Sequence, residues 1–281
     1  MHISPRPAGE PGFIRTADGV NLFCRDWGDG APIVFLAGWC QPSDSWCYQM
    51  APLCEAGFRC VAFDRRGHGR STDPGRGYDY DTLADDLAAV MDGLDLRGAV
   101  LVGHSMGAGE IVRYLTRHGA ARVARIVLVG PATPMLRRAD DNPGGIDDAV
   151  FEAFRREKLM RDYPQWIEDN LAAYVTEDTP ARMREWIRGM ALQPSLHALL
   201  ECNRTATAAD LREELRRITV PALVIQGDRD ASFPVELTGR PTAALLPAAR
   251  LAVYEGAPHG IPITHMDRLN ADLLEFAHGR S

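Results

Sequence analysis

Val100-Leu101-Val102-Gly103-His104-Ser105-Met106-Gly107-Ala108-Gly109-Glu110 decides how this chain is read. An unbroken β-branched run enters Gly-x-Ser-x-Gly, and a helical pattern follows over Glu110 to Arg117. The glycines let the turn tighten until the serine hydroxyl stands proud of the sheet. Strand, turn and helix together mark Ser105 as a candidate nucleophile, where a bare Gly-x-Ser-x-Gly would be only a glycine-rich turn. The Met106 N–H, at the helix start, is placed to face a developing oxyanion.

Working outward, similar runs recur at Ile33 to Leu36, Cys60 to Phe63, Ala99 to Val102, Ile126 to Val129 and Ala222 to Ile225. They are continuous rather than alternating, which is how strands read when helices cover both faces of a parallel sheet. Helical patterns such as Tyr80 to Leu94 lie between them, so the expectation is a doubly wound, mostly parallel α/β sheet. From about Leu136 to Leu215 the pattern turns helical throughout, punctuated by Pro143, Pro164, Pro180 and Pro194. We expect a core of residues 1–135 and 209–281, with a helical cap of 136–208 inserted before the strand that carries the acidic residue. Thr264 to Ala277 reads as a closing amphipathic helix.

A nucleophilic serine needs a base and an orienting carboxylate. Of eight histidines, His259 follows the last strand-like run, Arg250 to Tyr254, in Gly256-Ala257-Pro258-His259-Gly260. A loop imidazole there can swing over the sheet edge to the serine. His104 is expected to point away from the nucleophile, His68 sits in an arginine-rich turn, and His118 and His278 end helices. His2, His197 and His265 have no motif around them. The run Val224-Ile225-Gln226-Gly227-Asp228-Arg229-Asp230 offers two carboxylates. Asp228, just after the glycine, suits a turn role, and Asp230, further out, is favoured as the partner of His259. After the strand Ile33 to Leu36, the loop Ala37-Gly38-Trp39-Cys40 is expected to supply the second oxyanion donor, best from the Trp39 N–H.

Composition excludes other classes. The chain has 281 residues, 46% of them hydrophobic, with a net charge of −7 and no Lys/Arg-rich block to neutralise phosphates, so nucleic acid is not an expected partner. Met1 to Gly12 is polar and lacks the apolar core of a signal peptide, and no stretch approaches a membrane span; a soluble cytoplasmic protein is expected. Six cysteines without a Cys-x-x-Cys pair read as free thiols rather than disulfides or a zinc cluster. The expected partner is a small-molecule substrate, with no metal or cofactor, and self-association into a homo-oligomer is left open.

The order Ser105, Asp230, His259 is that of the α/β-hydrolase fold, unlike the chymotrypsin or subtilisin orders. Phe63-Asp64-Arg65-Arg66-Gly67-His68-Gly69-Arg70-Ser71, Gly77 to Leu87, Gly103 to Gly107 with Glu110, and Gly256 to Gly260 with Thr264-His265 resemble the cofactor-free haloperoxidases and their arylesterase and lactonase relatives. The resemblance covers about Thr16 to His278, weakest from Leu136 to Thr207. It implies Ser105, His259 and Asp230 as nucleophile, base and acid, with the Trp39 and Met106 amides as the oxyanion hole. The family usually carries His-Gly-Trp-Pro at the oxyanion loop, where this chain has Ala37 and Cys40 in place of the His and the Pro. The backbone donor needs neither side chain, so the departure bears on the loop's conformation and the acyl pocket rather than on the hole itself. Expected chemistry is ester or lactone cleavage through an acyl-enzyme. Perhydrolysis, C–C or amide hydrolysis, and a non-enzymatic small-molecule receptor remain as alternatives. Asp64 to Arg70 reads as a structural loop, and Glu110 as pairing with a nearby group. Phe151, Phe154, Trp166, Tyr174, Trp186 and Met190 in the insertion read as cap core, with a few of them touching substrate.

Overall fold

The computed structural model describes residues 12–279; His2 and nearly all of the polar start lie outside them. Among the described residues eight strands form one sheet: β1 (Phe13–Arg15), β2 (Asn21–Trp27), β3 (Ala31–Leu36), β4 (Phe58–Phe63), β5 (Ala99–His104), β6 (Val123–Val129), β7 (Ala222–Gly227) and β8 (Ala249–Tyr254). Their spatial order is β1-β2-β4-β3-β5-β6-β7-β8. β1–β2 and β2–β4 pair antiparallel, and every later pairing is parallel.

The unbroken apolar runs have a simple cause. Along β3, Val34 and Leu36 belong to one core while Ile33 and Phe35 belong to the other; β5, β6 and β7 divide their residues the same way. Successive side chains of a strand point to opposite faces, so a strand covered on both faces reads as an unbroken apolar run until it nears its carboxyl end. All six residues of β5 and of β7 are buried, and each fully buried Leu, Val or Ile contributes about 1.5–3 kcal/mol.

Eleven α-helices flank the sheet among the described residues: α1 (Cys47–Glu55), α2 (Tyr80–Gly93), α3 (Met106–His118), α4 (Asp148–Ala153), α5 (Met160–Tyr174), α6 (Ala181–Ala191), α7 (Leu196–Ala208), α8 (Arg212–Arg217), α9 (Gly239–Leu245), α10 (Ile261–Thr264) and α11 (Met266–Ala277). Leu83, Leu87 and Val90 of α2 and Ile111 and Leu115 of α3 fill one core; Met50 and Leu53 of α1 and Leu269 and Leu273 of α11 fill the other. No described helix is long and apolar enough to cross a membrane.

Three features depart from the sequence reading. β1 and β2 were not anticipated, because β2 carries Arg25 and Asp26 and buries only alternate residues, Leu22 and Cys24. Residues 136–147 are not helical but form a loop held by isolated bridges such as Arg137 with Ile146. The closing helix, α11, starts at Met266 rather than Thr264, because Thr264 ends the separate four-residue α10.

The order β4-β3-β5 places the switch point of the sheet between β3 and β5, where successive crossovers leave in opposite directions. Loops leaving the carboxyl ends of two such strands diverge and open a crevice. The Ala37–Cys40 loop leaves β3 there, and Ser105 leaves β5.

Candidate active site

Ser105 stands between β5 and α3 with φ 55° and ψ −117°, one of two described non-glycine residues with positive φ. Such a backbone costs energy and persists only where its surroundings enforce it. Here Ser105 N–H donates to Val129 O at 2.9 Å, and Ser105 O accepts from Ala108 N and Ala132 N at 3.1 Å each. A Cβ on Gly103 would lie 2.6 Å from Gly107 O, and one on Gly107 would lie 2.7 Å from Leu36 O; both elbow glycines are therefore needed for close approach. Although Ser105 is the N-cap of α3, its side chain makes no capping hydrogen bond, so the hydroxyl is uncommitted.

Asp230 follows β7 and accepts four hydrogen bonds. Oδ2 accepts from Gln226 Nε2 at 2.8 Å and from His259 Nδ1 at 2.7 Å; Oδ1 accepts from Ser232 N at 2.9 Å and Phe233 N at 2.8 Å. Burial raises the carboxyl's pKa, but the charge and hydrogen bond of His259 and the Phe233 N–H outweigh that, leaving it below its ordinary value. The ionised carboxylate fixes the proton of His259 on Nδ1. His259 Nε2 makes no hydrogen bond among the described residues, and its lone pair is open. Gly130, directly after Val129, packs under this pair: a Cβ there would sit 3.2 Å from His259 Nδ1. Asp228 instead accepts the Gly256 N–H at 2.7 Å and ties the two loops together.

His104 does not point away from the site. Its ring lies 4.7 Å from that of His259, and its Nε2–H donates to His259 O at 3.0 Å. Burial and the neighbouring His259 push it down to about 3, so it is a neutral support for the His259 backbone.

Trp39 and Met106 lie at the carboxyl ends of neighbouring strands, and no hydrogen bond takes up either backbone N–H among the described residues. The loop that carries Trp39 is tied to the helices between β6 and β7. Trp39 Nε1 donates to Leu199 O at 2.8 Å, and Gln41 Nε2 donates to Tyr174 Oη at 2.7 Å. The Trp39 ring meets Phe154, Tyr163 and Trp166 at centroid distances of 6.2, 6.2 and 5.7 Å. Tyr174 also accepts the Gly260 N–H on its carbonyl at 2.8 Å, and its ring lies 5.9 Å from His259. Met190 is core of the insertion, and Trp186 packs on Tyr48. Burial pushes the Cys40 thiol up to about 11, so it is no competing nucleophile at neutral pH. A groove of about 720 Å³ beside Ala231, Ser232 and Pro234 is lined by neither Ser105 nor His259. Among the described residues, no group of three or more His, Cys, Asp or Glu converges to hold a metal.

Sequence reasoning missed the reach of the arginine-rich loop. Arg65 is buried against Glu110 of α3 and against three carbonyls of the Trp39 loop. A signal was present in an arginine and a glutamate both flanking the site, but spacing alone could not pair residues 45 positions apart.

Residues 31–266 match the model of the α/β-hydrolase fold family. The chain belongs to this family. It is 39% identical to a non-heme chloroperoxidase of Kitasatospora aureofaciens, over 93% of this chain and 97% of that protein. It is 38% identical to a bifunctional esterase/perhydrolase of Acinetobacter calcoaceticus, over 94% and 99%. Among solved structures, a bromoperoxidase from Bacillus anthracis superposes with a TM-score of 0.90 at 33% identity, over 95% of this chain and 99% of that one. This α/β-hydrolase is thus an enzyme of the non-heme haloperoxidase and esterase branch.

Proposed function

We propose that this α/β-hydrolase is a serine hydrolase that cleaves a small ester or lactone through a Ser105 acyl-enzyme, beneath a cap formed by residues 136–208. The observation that carries the reading is the 2.7 Å bond from His259 Nδ1 to Asp230, which leaves Nε2 as an acceptor, as the strained backbone of Ser105 leaves its hydroxyl uncapped at the carboxyl end of β5.

His259 Nε2 takes the Ser105 proton as Oγ attacks the carbonyl carbon. The oxyanion receives the unpartnered N–H groups of Trp39 and Met106, which is worth about 3–4 kcal/mol of barrier per donor in comparable sites. Collapse expels the alcohol, which takes the proton from His259. Water, deprotonated by the same imidazole, then attacks the acyl-enzyme and frees Ser105. Asp230 holds the imidazole in the required tautomer throughout. An apolar acyl or aryl group is the favoured cargo, because the Trp39 loop packs on the aromatic rings of Phe154 and Trp166.

A second reading has a specific support: relatives named chloroperoxidase and esterase/perhydrolase. Hydrogen peroxide in place of water at the second step would release a peracid from the same acyl-enzyme. Both readings are tested by hydrolysis of p-nitrophenyl acetate and labelling with an active-site serine phosphonate. Labelling and turnover should vanish in Ser105→Ala. Turnover that survives in that variant refutes both, and peracid formation on adding peroxide separates them.

A further inference from the structure

The guanidinium of Arg65 makes five hydrogen-bond contacts. Nε and Nη2 donate to Glu110 Oε1, Nη2 also donates to Ala37 O at 2.7 Å, and Nη1 donates to Gly38 O at 3.1 Å and Trp39 O at 3.5 Å. A guanidinium has five N–H groups, so all are committed. Arg65 is 3% and Glu110 1% exposed, so neither charge has water as a substitute partner. His68 reinforces the same loop, its Nε2 reaching Trp39 O at 2.7 Å.

In a trans peptide the C=O and the following N–H point in opposite directions. Three successive carbonyls drawn to one guanidinium therefore turn three successive N–H groups away from it. The one that matters is on Trp39, whose peptide partner is the Gly38 carbonyl. Gly38 O is held from two sides, by Arg65 Nη1 and by Gln41 N at 3.2 Å. Gly38 also lies close to the nucleophile: a Cβ built on that glycine would stand 3.6 Å from Ser105 Cβ. We infer that Arg65, fixed by Glu110, is the positioning residue that aims the Trp39 N–H at the oxyanion and keeps the Gly38–Trp39 peptide from flipping. Glu110 leaves from α3, the helix that Ser105 starts, so one ion pair joins both halves of the oxyanion hole and sets their separation. The inference rests on the proposed acyl-enzyme mechanism.

Lysine offers three donors from a single point and cannot hold Glu110 and three carbonyls together. Arg65→Lys keeps the charge and should fold. Its kcat on p-nitrophenyl acetate should fall about 10²-fold with KM changed by less than about threefold, as for loss of one oxyanion donor. Inhibition by butylboronic acid, whose serine adduct places an oxygen in the hole, should weaken in parallel. A purely structural role would lower the melting temperature and leave both readouts intact. If Arg65→Lys does not fold, the double variant Arg65→Met, Glu110→Leu removes the pair without stranding a charge and takes its place; the same loss of kcat and boronate affinity is expected. Wild-type kcat and boronate affinity in whichever variant folds overturns the inference while Ser105 labelling stays intact. Failure of the acyl-enzyme reading shows separately, as unchanged turnover in Ser105→Ala.

Discussion

Replacing Asp230 by asparagine changes one atom and tests the whole orientation of the base. The carboxylate accepts from His259 Nδ1 and Gln226 Nε2 on Oδ2, and from the Ser232 and Phe233 N–H groups on Oδ1. All four neighbours are donors. Asparagine has one oxygen and one NH2, so whichever way it turns, its NH2 faces two donors. With the oxygen toward the backbone amides, His259 escapes the clash by moving its proton to Nε2, and the imidazole can then no longer accept from Ser105. With the oxygen toward His259, the NH2 confronts Ser232 and Phe233 inside a buried loop. The first arrangement leaves the fold nearly intact and disables the base, at a cost of about 10⁴-fold in kcat, or roughly 5.5 kcal/mol at about 1.4 kcal/mol per decade. Stability should fall by only about 1–3 kcal/mol, the penalty of an unsatisfied buried donor. The assay is kcat on p-nitrophenyl acetate near pH 7.5, beside a urea titration to show that the variant is folded. A folded Asp230→Asn with kcat within tenfold of wild type refutes the assignment of Asp230 as the residue that holds the tautomer.

Two further outcomes follow from the geometry. Gly130 has φ +50° and a Cβ there would stand 3.2 Å from His259 Nδ1. Gly130→Ala should therefore lose about 1–2 kcal/mol of stability from its backbone and at least about tenfold in kcat from the displaced imidazole; wild-type kcat would show that the ring has room to move. Burial, with the Arg65 charge as a lesser cause, pushes His68 down to about 4, and burial with His259 pushes His104 down to about 3, both from 6.5. The unfolded chain therefore binds more protons below 6.5, and stability should fall on acidification from there toward pH 4, by about 1.4 kcal/mol per pH unit for each imidazole. Urea titrations between pH 6 and 4.5 should show His68→Gln with a slope shallower by that amount, and an unchanged slope would mean that His68 does not titrate this way.

How much could be read without the fold depends on whether the physics is local. The elbow is local: Gly103 and Gly107 flank Ser105 in a strand-to-helix turn that only small residues permit, and the pattern is visible in five letters. The covered strands are legible for the same reason, since a two-faced strand reads as an unbroken apolar run until it nears its carboxyl end. β2 escaped notice because only one of its faces is buried, and Arg25 and Asp26 break the pattern. His104 was misjudged because alternation along β5 predicts which face a side chain leaves from, not which loop lies over that face. The His259 loop, 155 residues later, does so.

The sequence by itself determined the family, the parallel core and the identities of Ser105, Asp230, His259, Trp39 and Met106 as candidates, because turn geometry and two-faced burial are written in neighbouring residues. Only the tertiary structure decided that Asp230 rather than Asp228 meets His259, that His104 supports the His259 backbone, and that Arg65 and Glu110 hold the Trp39 loop. Those pairings depend on which strand ends the sheet order brings together. A buried charge or hydrogen bond has meaning only with its partner in place, and here the partners lie 29 to 155 positions apart along the chain.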